Sequence, residues 1–380
     1  MKICAIICEY NPFHNGHLYQ LQEAKRLSGA DAILCIMSGN FVQRGEAAIM
    51  DKFTRARHAV LSGADVVIEL PTVFATSNAE LFAKGAIHVL SSIPEVTSLC
   101  FGCETADKEL FIKAAKLLND EPESVSEQIK ALTTTGMSYA KARAEAWSKH
   151  LPSTLLTSPN NILGLEYTKA ILEKNLAMDI IPIQRQGGQY SDTELKQNFS
   201  SSSAIRACIE KETEFKGNIP TYVEQDLPRR LEDKLDTLEK YAILSKSTTQ
   251  LQQICDCTEG LENAFKKAAI LQPYLAESLT SARYTASRIR RIALHALLNI
   301  TQSFIRECLS VPLYLRVLSA KKERTDVLSA LSNTNAALIA RAYDKNVLTS
   351  SAKHCFEIDC FAERIHLLLY TNELDKKIFI

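Results

Sequence analysis

The fold is decided near the amino terminus by a nine-residue stretch that reads Glu9-Tyr10-Asn11-Pro12-Phe13-His14-Asn15-Gly16-His17. It follows residues 2–8, a continuous apolar run that predicts a short buried strand. Asn11-Pro12 breaks this run, because a residue before proline is pushed out of the helical region. From Gly16 onward, apolar residues recur with a helical period. The stretch is therefore predicted to lie between the carboxyl end of a strand and the amino end of a helix.

That position favours a phosphate site. The first N–H groups of a helix have no partner within the helix, and the helix dipole attracts negative charge to them. His14 and His17 add side-chain donors, and Gly16 between them has no Cβ to obstruct a ligand. The alternative is that one histidine only caps the helix.

Composition indicates a large globular protein with balanced charge. The chain has 380 residues, 46% of them hydrophobic, with 44 basic and 44 acidic residues. This length predicts two domains, at residues 1–217 and 218–380. The charge balance means that any nucleic-acid surface is a local patch, and it gives no indication of DNA as a partner.

The cysteines and the first residues favour a cytoplasmic location. We interpret the eleven cysteines as structural thiols in a reducing compartment and predict no metal site. Met1 leads directly into the first strand without a signal peptide, and no apolar run reaches the ~20 residues of a membrane span.

Further along the chain, strands and helices alternate. Strands are predicted at residues 32–37, 66–70, 98–101 and 178–183, and helices at about 51–62, 79–90, 158–174 and after residues 200–206. Residues 107–149 are predicted to be helical, Gly187 and Gly188 follow the fifth strand, and only helices are predicted beyond residue 206. The fold class is therefore α/β: a Rossmann-like parallel sheet followed by a mainly α-helical carboxyl-terminal part.

Ligands of such sheets bind beyond the carboxyl ends of the strands, near the point where the strand order reverses. His14, Gly39 and Gly102 all follow predicted strands. We therefore expect these three loops to meet at one pocket.

Several motifs identify a family resemblance. His14-Asn15-Gly16-His17 resembles the HxGH signature of the nucleotidyltransferases (HUP-type folds), and Ser201–Arg206 resembles their late Ser/Thr-x-x-Arg element. Longer stretches resemble the tRNA(Met) cytidine acetate ligase family, and they are residues 9–17, 37–45, 67–71, 159–164, 283–285 and 288–291. The resemblance is dense in the amino-terminal half and continues into the carboxyl-terminal half.

The resemblance implies a two-step reaction. ATP, with Mg²⁺, and acetate form acetyl-adenylate and pyrophosphate. The acetyl group then passes to N4 of the wobble cytidine (C34) of elongator tRNA(Met), which gives N4-acetylcytidine and releases AMP. ATP, acetate and this tRNA are thus the expected substrates.

The resemblance also implies a nucleotide site. Its expected residues are Ile7, Cys8, Glu9, Tyr10, Asn11, Pro12, Phe13, His14, Asn15, Gly16, His17, Leu18, Tyr19, Gln20, Gly102, Arg185 and an asparagine that is either Asn160 or Asn161. Ordinary alternatives are a turn role for Gly102 and a surface ion pair for Arg185. Glu9 either helps to bind Mg²⁺ or is a buried acid bonded to the backbone.

Four residues are the expected catalytic groups: His14, His17, Ser203 and Arg206. The histidines can donate hydrogen bonds to the charge that develops on the phosphates, without acting as nucleophiles. Ser201, Ser203 and Arg206 can hold the β- and γ-phosphates. Ser203 replaces the family's usual threonine and keeps its hydroxyl. Serine at a helix start is also common for capping alone.

A late basic cluster is the expected tRNA surface. Its members are Arg283, Arg288, Arg290, Arg291 and His295, and Arg44 is expected to reach either the phosphates or the tRNA. Helical spacing puts Arg288, Arg291 and His295 on one face and apolar residues on another. A cationic face of this kind suits an RNA backbone, although such faces are often simply solvated.

Two other functions explain part of this pattern. An adenylyltransferase or adenylate-forming ligase acting on a small metabolite would use the same histidines, but it leaves the arginine cluster without a task. A non-catalytic nucleotide- or RNA-binding protein would tolerate the loss of one motif histidine, yet both are present.

Overall fold

A mostly parallel sheet with one antiparallel pairing organises the chain. The structure, a computed structural model, describes residues 1–186, 199–215, 217–228 and 234–370, which leaves the predicted glycine pair Gly187 and Gly188 outside the described residues. Its strands are β1 (Ile3–Cys8), β2 (Ala32–Ser38), β3 (Val66–Leu70), β4 (Val96–Cys103), β5 (Asp179–Gln184), β6 (Tyr314–Ala320) and β7 (Ala337–Ile339). Within the described ranges these form one sheet in the order β5-β4-β1-β2-β3-β6-β7.

Helices cover both faces of the sheet and continue beyond it. In the first half they are α1 (Asn15–Ser28), α2 (Lys52–Leu61), α3 (Thr72–Ala75), α4 (Ala79–Leu90), α5 (Lys108–Asn119), α6 (Glu123–Thr134), α7 (Tyr139–Trp147), α8 (Ser153–Thr157), α9 (Pro159–Glu173) and α10 (Ser202–Glu210). In the second half they are α11 (Thr221–Glu224), α12 (Leu235–Ser245), α13 (Thr248–Gln253), α14 (Leu261–Leu271), α15 (Leu275–Leu279), α16 (Ala286–Leu298), α17 (Gln302–Ser310), α18 (Thr325–Ser332) and α19 (Ser350–Leu369), with a short 3-10 helix at Ala342–Val347.

Strand β1 shows why the sheet is buried on both faces. Ile3, Ala5 and Ile7 belong to one apolar cluster, whereas Cys4 and Cys8 belong to a second cluster on the opposite face. This follows from the two-residue period of a strand. Helices α1 and α10 pack over the face that carries the cysteines. The continuous apolar run of the sequence thus corresponds to a central strand, as predicted.

The cysteines are packed as apolar groups. All but Cys360 are buried, and burial raises the pKa of the Cys103 thiol to about 12. Cys100 and Cys103 have the spacing of a zinc-binding pair, but they lie in β4 and point to opposite faces of the sheet. A single zinc ion therefore cannot bind both thiols.

Most predicted elements are confirmed. Strand β3 has the predicted bounds, and Asp51 caps α2 by accepting hydrogen bonds from the N–H groups of Phe53 and Thr54. The parallel pairs β1–β2, β1–β4, β2–β3 and β4–β5 form the expected doubly wound sheet. Strand β4 is longer than predicted, so that Gly102 lies inside the strand rather than behind it.

The prediction of helices alone beyond residue 206 is wrong. Strand β6 pairs antiparallel with β3, and β7 pairs with β6. Arg316 interrupts the apolar run of β6, so the sequence pattern does not indicate a buried strand there. In the structure, Glu69 and Glu363 neutralise the charge of Arg316 at N–O distances of 3.1 Å. Strand β7 has only three residues. The division at residue 217 stays a prediction, and the sheet takes strands from both sides of it.

No helix among the described residues is long and apolar enough to cross a membrane.

Two buried histidines make the fold sensitive to acid. Burial and the nearby charge of Arg291 lower the pKa of His295 from 6.5 to about 3, and burial lowers that of His366 to about 4. The unfolded chain therefore binds more protons than the folded chain as the pH falls below about 6.5. Stability should rise with pH across this window and be lost as the pH falls.

We expect His295→Asn to flatten this dependence. Between pH 7 and pH 5, each such histidine should lower the free energy of unfolding of the wild type by roughly 2 kcal/mol. The variant lacks one of these histidines, so its free energy of unfolding should fall by roughly 2 kcal/mol less than that of the wild type. Urea unfolding at the two pH values measures the difference. Thr76→Val is the matched control, because it removes the hydroxyl that bonds His295 and keeps the titrating ring. An equal slope in His295→Asn and wild type would contradict the assignment.

Candidate active site

A cleft opens where the strand order of the sheet reverses. It lies at the carboxyl ends of β1 and β4, which are neighbours although β2 and β3 lie between them in sequence. The cleft spans about 1070 Å³ including space open to solvent, and the starts of α1, α9 and α10 and the loop after β2 contribute to its walls. This is the ligand position of doubly wound sheets. The expected convergence of the three loops is confirmed, since the loop after β2 reaches the cleft with Val42, Gln43 and Arg44, alongside His14 and Gly102.

The two motif histidines form one stacked unit. His14 is the N-cap of α1, where its Nδ1 accepts a hydrogen bond of 3.0 Å from the N–H of Gly16. Nδ1 of His17 accepts one of 3.3 Å from the N–H of His14. The rings stack with 3.7 Å between their centroids. Because both Nδ1 atoms accept, each neutral ring carries its proton on Nε2.

Burial keeps both rings neutral. It lowers the pKa of His14 to about 3, with a further contribution from the charge of Arg185. It also lowers the pKa of His17 well below its ordinary value, assisted by His14 and Arg185. At neutral pH the pair therefore supplies two N–H donors and no charge. Positive charge in the cleft comes from arginines, and capping of α1 by His14 coexists with a ligand-facing role.

Helix α10 is attached to the first loop by side-chain bonds. Nη1 of Arg206 donates to the carbonyl of Asn11 at 2.7 Å, and the hydroxyl of Ser202 donates to the carbonyl of Pro12 at 3.2 Å. Ser201 is the N-cap and accepts from the N–H of Ala204. All three serines from 201 to 203 line the cleft together with Arg206. The predicted late motif thus faces the histidine pair.

Asn218 joins the starts of the two helices. Its carbonyl accepts from the N–H of Asn15 at 3.0 Å, and its side-chain oxygen accepts from the N–H of Ser200 at 3.0 Å. The amino ends of α1 and α10 are thereby held side by side, so that their dipoles act on the same space. Sequence reasoning missed Asn218, because its partners lie far away along the chain.

Arg55 holds the loop after β2 against the loop after β1. Its buried guanidinium donates to the carbonyls of Glu9, Ser38 and Gly39, and burial lowers its pKa to about 10. The carboxylate of Glu9 accepts from the N–H of Gln43 at 2.7 Å, and burial raises its pKa. The backbone-bonded alternative for Glu9 is thus observed. Arg55 was not predicted, since an arginine within an amphipathic helix normally marks its exposed face.

The two candidate asparagines have different environments. Asn160 lines the cleft and donates to the carboxylate of Glu104 at 2.6 Å. Asn161 is fully buried, and its side-chain oxygen accepts from the N–H groups of Glu104 and Thr105. Asn160 is therefore placed to meet a ligand, whereas Asn161 secures the loop after β4.

Most of the remaining predicted nucleotide residues also reach the cleft. Those lining it are Ile7, Cys8, Glu9, Tyr10, Asn11, Gln20, Gly102 and Arg185, and Arg44, which was expected at either the phosphates or the tRNA, lines it as well. Gly16 and Tyr19 line a smaller adjoining cavity. Neither cavity is lined by Pro12, Phe13, Asn15 or Leu18, which support the loop and the helix behind the cleft.

Comparisons with known proteins agree with this geometry. Residues 1–378 match the model of the HIGH nucleotidyl transferase family. The tRNA(Met) cytidine acetate ligase of Thermoanaerobacter sp. (strain X514) is 38% identical, over 98% of this chain and 96% of its own length. That of Thermosipho melanesiensis is 35% identical, over 99% and 96%. The chain belongs to the tRNA(Met) cytidine acetate ligase family.

Solved structures agree with this membership. Apo Thermotoga maritima TmcAL superposes with a TM-score of 0.89 at 30% identity, covering 97% of this chain and 95% of that one. A second form of the same protein, bound with alpha-thio ATP, gives a TM-score of 0.86 at 29% identity over the same shares.

In this member of the ligase family, the arginine helix α16 differs from the prediction. Arg291 and His295 are buried, and His295 bonds Thr76, so the predicted exposed cationic face is wrong. Helical spacing showed which residues share a face, but not that a second part of the chain covers it. Arg288 is partly exposed, and Arg290 pairs with Glu46 at 2.8 Å.

Arg283 and Arg288 form a basic surface just before and at the start of α16. Both guanidiniums lie over the ring of Tyr284, at 5.7 and 5.2 Å from its centroid. Arg283 also pairs with Glu259 at 3.1 Å, and Arg288 donates to the hydroxyl of Thr258 at 3.0 Å. These bonds hold the two charges at the surface.

We expect Gly16→Ala to displace the ring of His14. A Cβ at this position would lie 2.8 Å from Cε1 and 3.0 Å from Nδ1 of His14, and the stacked ring has His17 behind it. Affinity for alpha-thio ATP, measured by calorimetry, should fall on the order of 10-fold. The melting temperature should hold, since the helix propensity that alanine adds, up to about 1 kcal/mol, offsets the cap bond that the displaced ring loses. Unchanged affinity would show that the ring position does not matter.

Proposed function

We propose that this protein is an ATP-dependent acetate ligase that acetylates N4 of the wobble cytidine (C34) of elongator tRNA(Met), through acetyl-adenylate. The stacked neutral pair of His14 and His17, at the start of α1 and opposite Arg185 and Arg206, carries the proposal. Membership of the ligase family supports the choice of substrates. The chain therefore forms a carbon–nitrogen bond at the expense of ATP, and we expect it to act in the cytoplasm.

In the first step an acetate oxygen attacks the α-phosphorus of ATP, and pyrophosphate leaves. Negative charge grows on the phosphate oxygens as the bond to pyrophosphate breaks. The Nε2–H groups of His14 and His17 donate to those oxygens. These donors are held in place before ATP arrives, so they need no reorganisation during the reaction. Such preorganisation is the main source of electrostatic catalysis.

The arginines supply the charge that the histidines lack. Arg185 lowers the pKa of both rings, which places its charge near them. Arg206 lies 3.4 Å from the hydroxyl of Ser203. Arg185 therefore contacts the nucleotide, and Arg206 with Ser201 and Ser203 holds the β- and γ-phosphates. The guanidinium fork suits phosphate oxygens. The rest of segment 7–20, with Gly102 and Asn160, forms the remaining nucleotide contacts.

Mg²⁺ fits this cleft as an ion that arrives with ATP. The described residues include no group of three histidine, cysteine or acidic side chains that could hold a metal. A magnesium ion usually keeps several waters and binds substrate phosphates with one or two carboxylates. Glu9 lines the cleft, and its Oε1 accepts from the N–H of Gln43, so we assign the ion to its Oε2.

The tRNA lies along the arginine surface. The exposed Arg283 and the partly exposed Arg288 lie beside Tyr284 and contact the RNA backbone, whereas Arg290 and Arg44 lie nearer the cleft. Arg291 supports this surface from beneath, because it is buried against Asp256. We assign the acetyl transfer to the space between this surface and the histidines.

The direct test is incubation of the protein with labelled acetate and ATP, with and without elongator tRNA(Met). We expect acetyl-adenylate in both reactions and N4-acetylcytidine only with the tRNA. Acetyl transfer from acetyl-CoA without ATP would overturn the proposal. In the same assay, His14→Ala and His17→Ala should each lower acetate-dependent ATP–pyrophosphate exchange on the order of 10²-fold.

The matched control for the histidines is His354→Ala, which removes an exposed ring far along the chain. Wild-type exchange in His14→Ala or His17→Ala would contradict the role of that ring.

The arginine surface gives a separate expectation. Arg283→Gln and Arg288→Gln should weaken tRNA binding and lower the slope of log affinity against log salt by about 1 for each phosphate that the variant no longer neutralises. Filter binding across a salt series measures both quantities. Lys141→Gln on α7 is the control, since it removes an exposed charge elsewhere. If affinity and slope both match the wild type, the tRNA does not lie on this surface.

A further inference from the structure

A second cavity adjoins the cleft, and the proposed first step does not use it. It shares Glu46 and Arg206 with the cleft and spans about 1590 Å³ including space open to solvent. Its walls come from residues 45–49, from α10, and from helices α12, α15 and α16. One side of the cavity thus belongs to the phosphate-binding end of the sheet, and the other to the helix that follows the arginine surface.

Glu46 stands where the two cavities meet. Its Oε1 accepts from Nη1 of Arg290 at 2.8 Å, and its Oε2 lies 3.7 Å from Nη2 of Arg206. The carbonyl of Glu46 accepts from the N–H of Val42 at 3.0 Å, which fixes the backbone of the loop. The carboxylate is therefore held between one arginine of the proposed phosphate site and one of α16.

We propose that this second cavity receives the acceptor cytidine and that Glu46 accepts a hydrogen bond from its exocyclic amine. The proposal rests on the proposed function and names the acceptor site of the second step. A carboxylate is the natural partner of the N4 amine of cytosine, whereas uracil presents a carbonyl oxygen at that place, which a carboxylate repels. Glu46 would thus both place the reacting amine and reject uridine.

The remaining walls suit a base better than an RNA backbone. The ring of Tyr274 is 52% exposed at the rim, where it can stack on a base, and the buried Ile289 and Ala293 of α16 form the apolar layer behind the wall. Glu210 and Glu277 also line the cavity and disfavour phosphate groups. A nucleotide turned out of the anticodon loop would place its base here and leave its phosphates on the arginine surface.

The second step transfers the acetyl group from acetyl-adenylate to N4 of the cytidine. N4 attacks the carbonyl carbon of acetyl-adenylate, and a carbon–nitrogen bond forms. The bond from that carbon to the phosphate oxygen breaks, and its electron pair leaves with AMP. One proton of the amine passes to the carboxylate of Glu46, from which it returns to solvent.

Two ratios test this proposal with Glu46→Gln. The first is the rate of acetyl transfer to tRNA divided by the rate of ATP–pyrophosphate exchange, and it should fall on the order of 10²-fold. The second is the affinity for an anticodon stem-loop with C34 divided by that for the same stem-loop with U34. The wild type should prefer C34 about 10-fold, and the variant should lose this preference because an amide can also donate to uracil.

A merely structural role for Glu46 predicts other results. Loosening of Arg206 would lower exchange and transfer together and leave the C34 preference intact. Glu46→Asp should recover part of the transfer rate. Glu127→Gln on α6 is the matched control, because this residue is exposed and lies outside both cavities.

Ala276→Trp is a second variant that keeps Glu46 in place. Ala276 lines the cavity from α15, and its partial exposure allows a larger side chain without disturbing the core. The transfer-to-exchange ratio should again fall, by about 10-fold or more. Wild-type ratios in both variants, with an unchanged C34 preference, would overturn the acceptor site. Failure of the wild type to form acetyl-adenylate would instead overturn the proposed function itself.

Discussion

A buried ion-pair network determines how the two halves of the chain meet. Lys52 and Glu69 are both about 1% exposed and pair at 2.7 Å, and Arg316 of β6 and Glu363 of α19 complete the network. Loss of one partner would leave an uncompensated buried charge, which is strongly destabilising. A Cβ on Gly39 would lie 2.4 Å from Glu69. The loop after β2 therefore rests directly on this network, and the cleft takes one wall from that loop.

The cleft separates hydrogen bonding from charge. Neutral imidazoles donate from a rigid stack, and arginines on α10 and after β5 supply positive potential from the sides. Charged imidazoles at a centroid distance of 3.7 Å would repel each other in a buried site. Burial prevents this repulsion because it keeps both rings neutral, but it also makes the stability of the fold sensitive to acid. Helix starts add partial positive charge without any titrating group, so the site keeps its character over a wide pH range.

Local patterns predicted the strands from β1 to β5 and the helices between them, because burial on both faces leaves continuous apolar runs. The histidine motif could also be predicted, since its strand–turn–helix setting is local. Arg55, Glu46 and Asn218 could not, because their partners are distant in sequence. Strand β6 was hidden by Arg316, whose charge is neutralised only in three dimensions. His295 was misplaced for the same reason: its helix is covered by a distant segment.

Gly45 has a consequence for how such proteins diversify. Its φ is +74°, and any side chain there would collide with the backbone of α16 at Arg290 and Arg291. Atoms of the main chain cannot be substituted away, so neither partner offers the usual route of compensating mutations. The contact therefore depends on glycine in the loop and not on which residues stand at 290 and 291. A chimera that joins the halves of two diverged relatives would keep this contact as long as its loop carries glycine here.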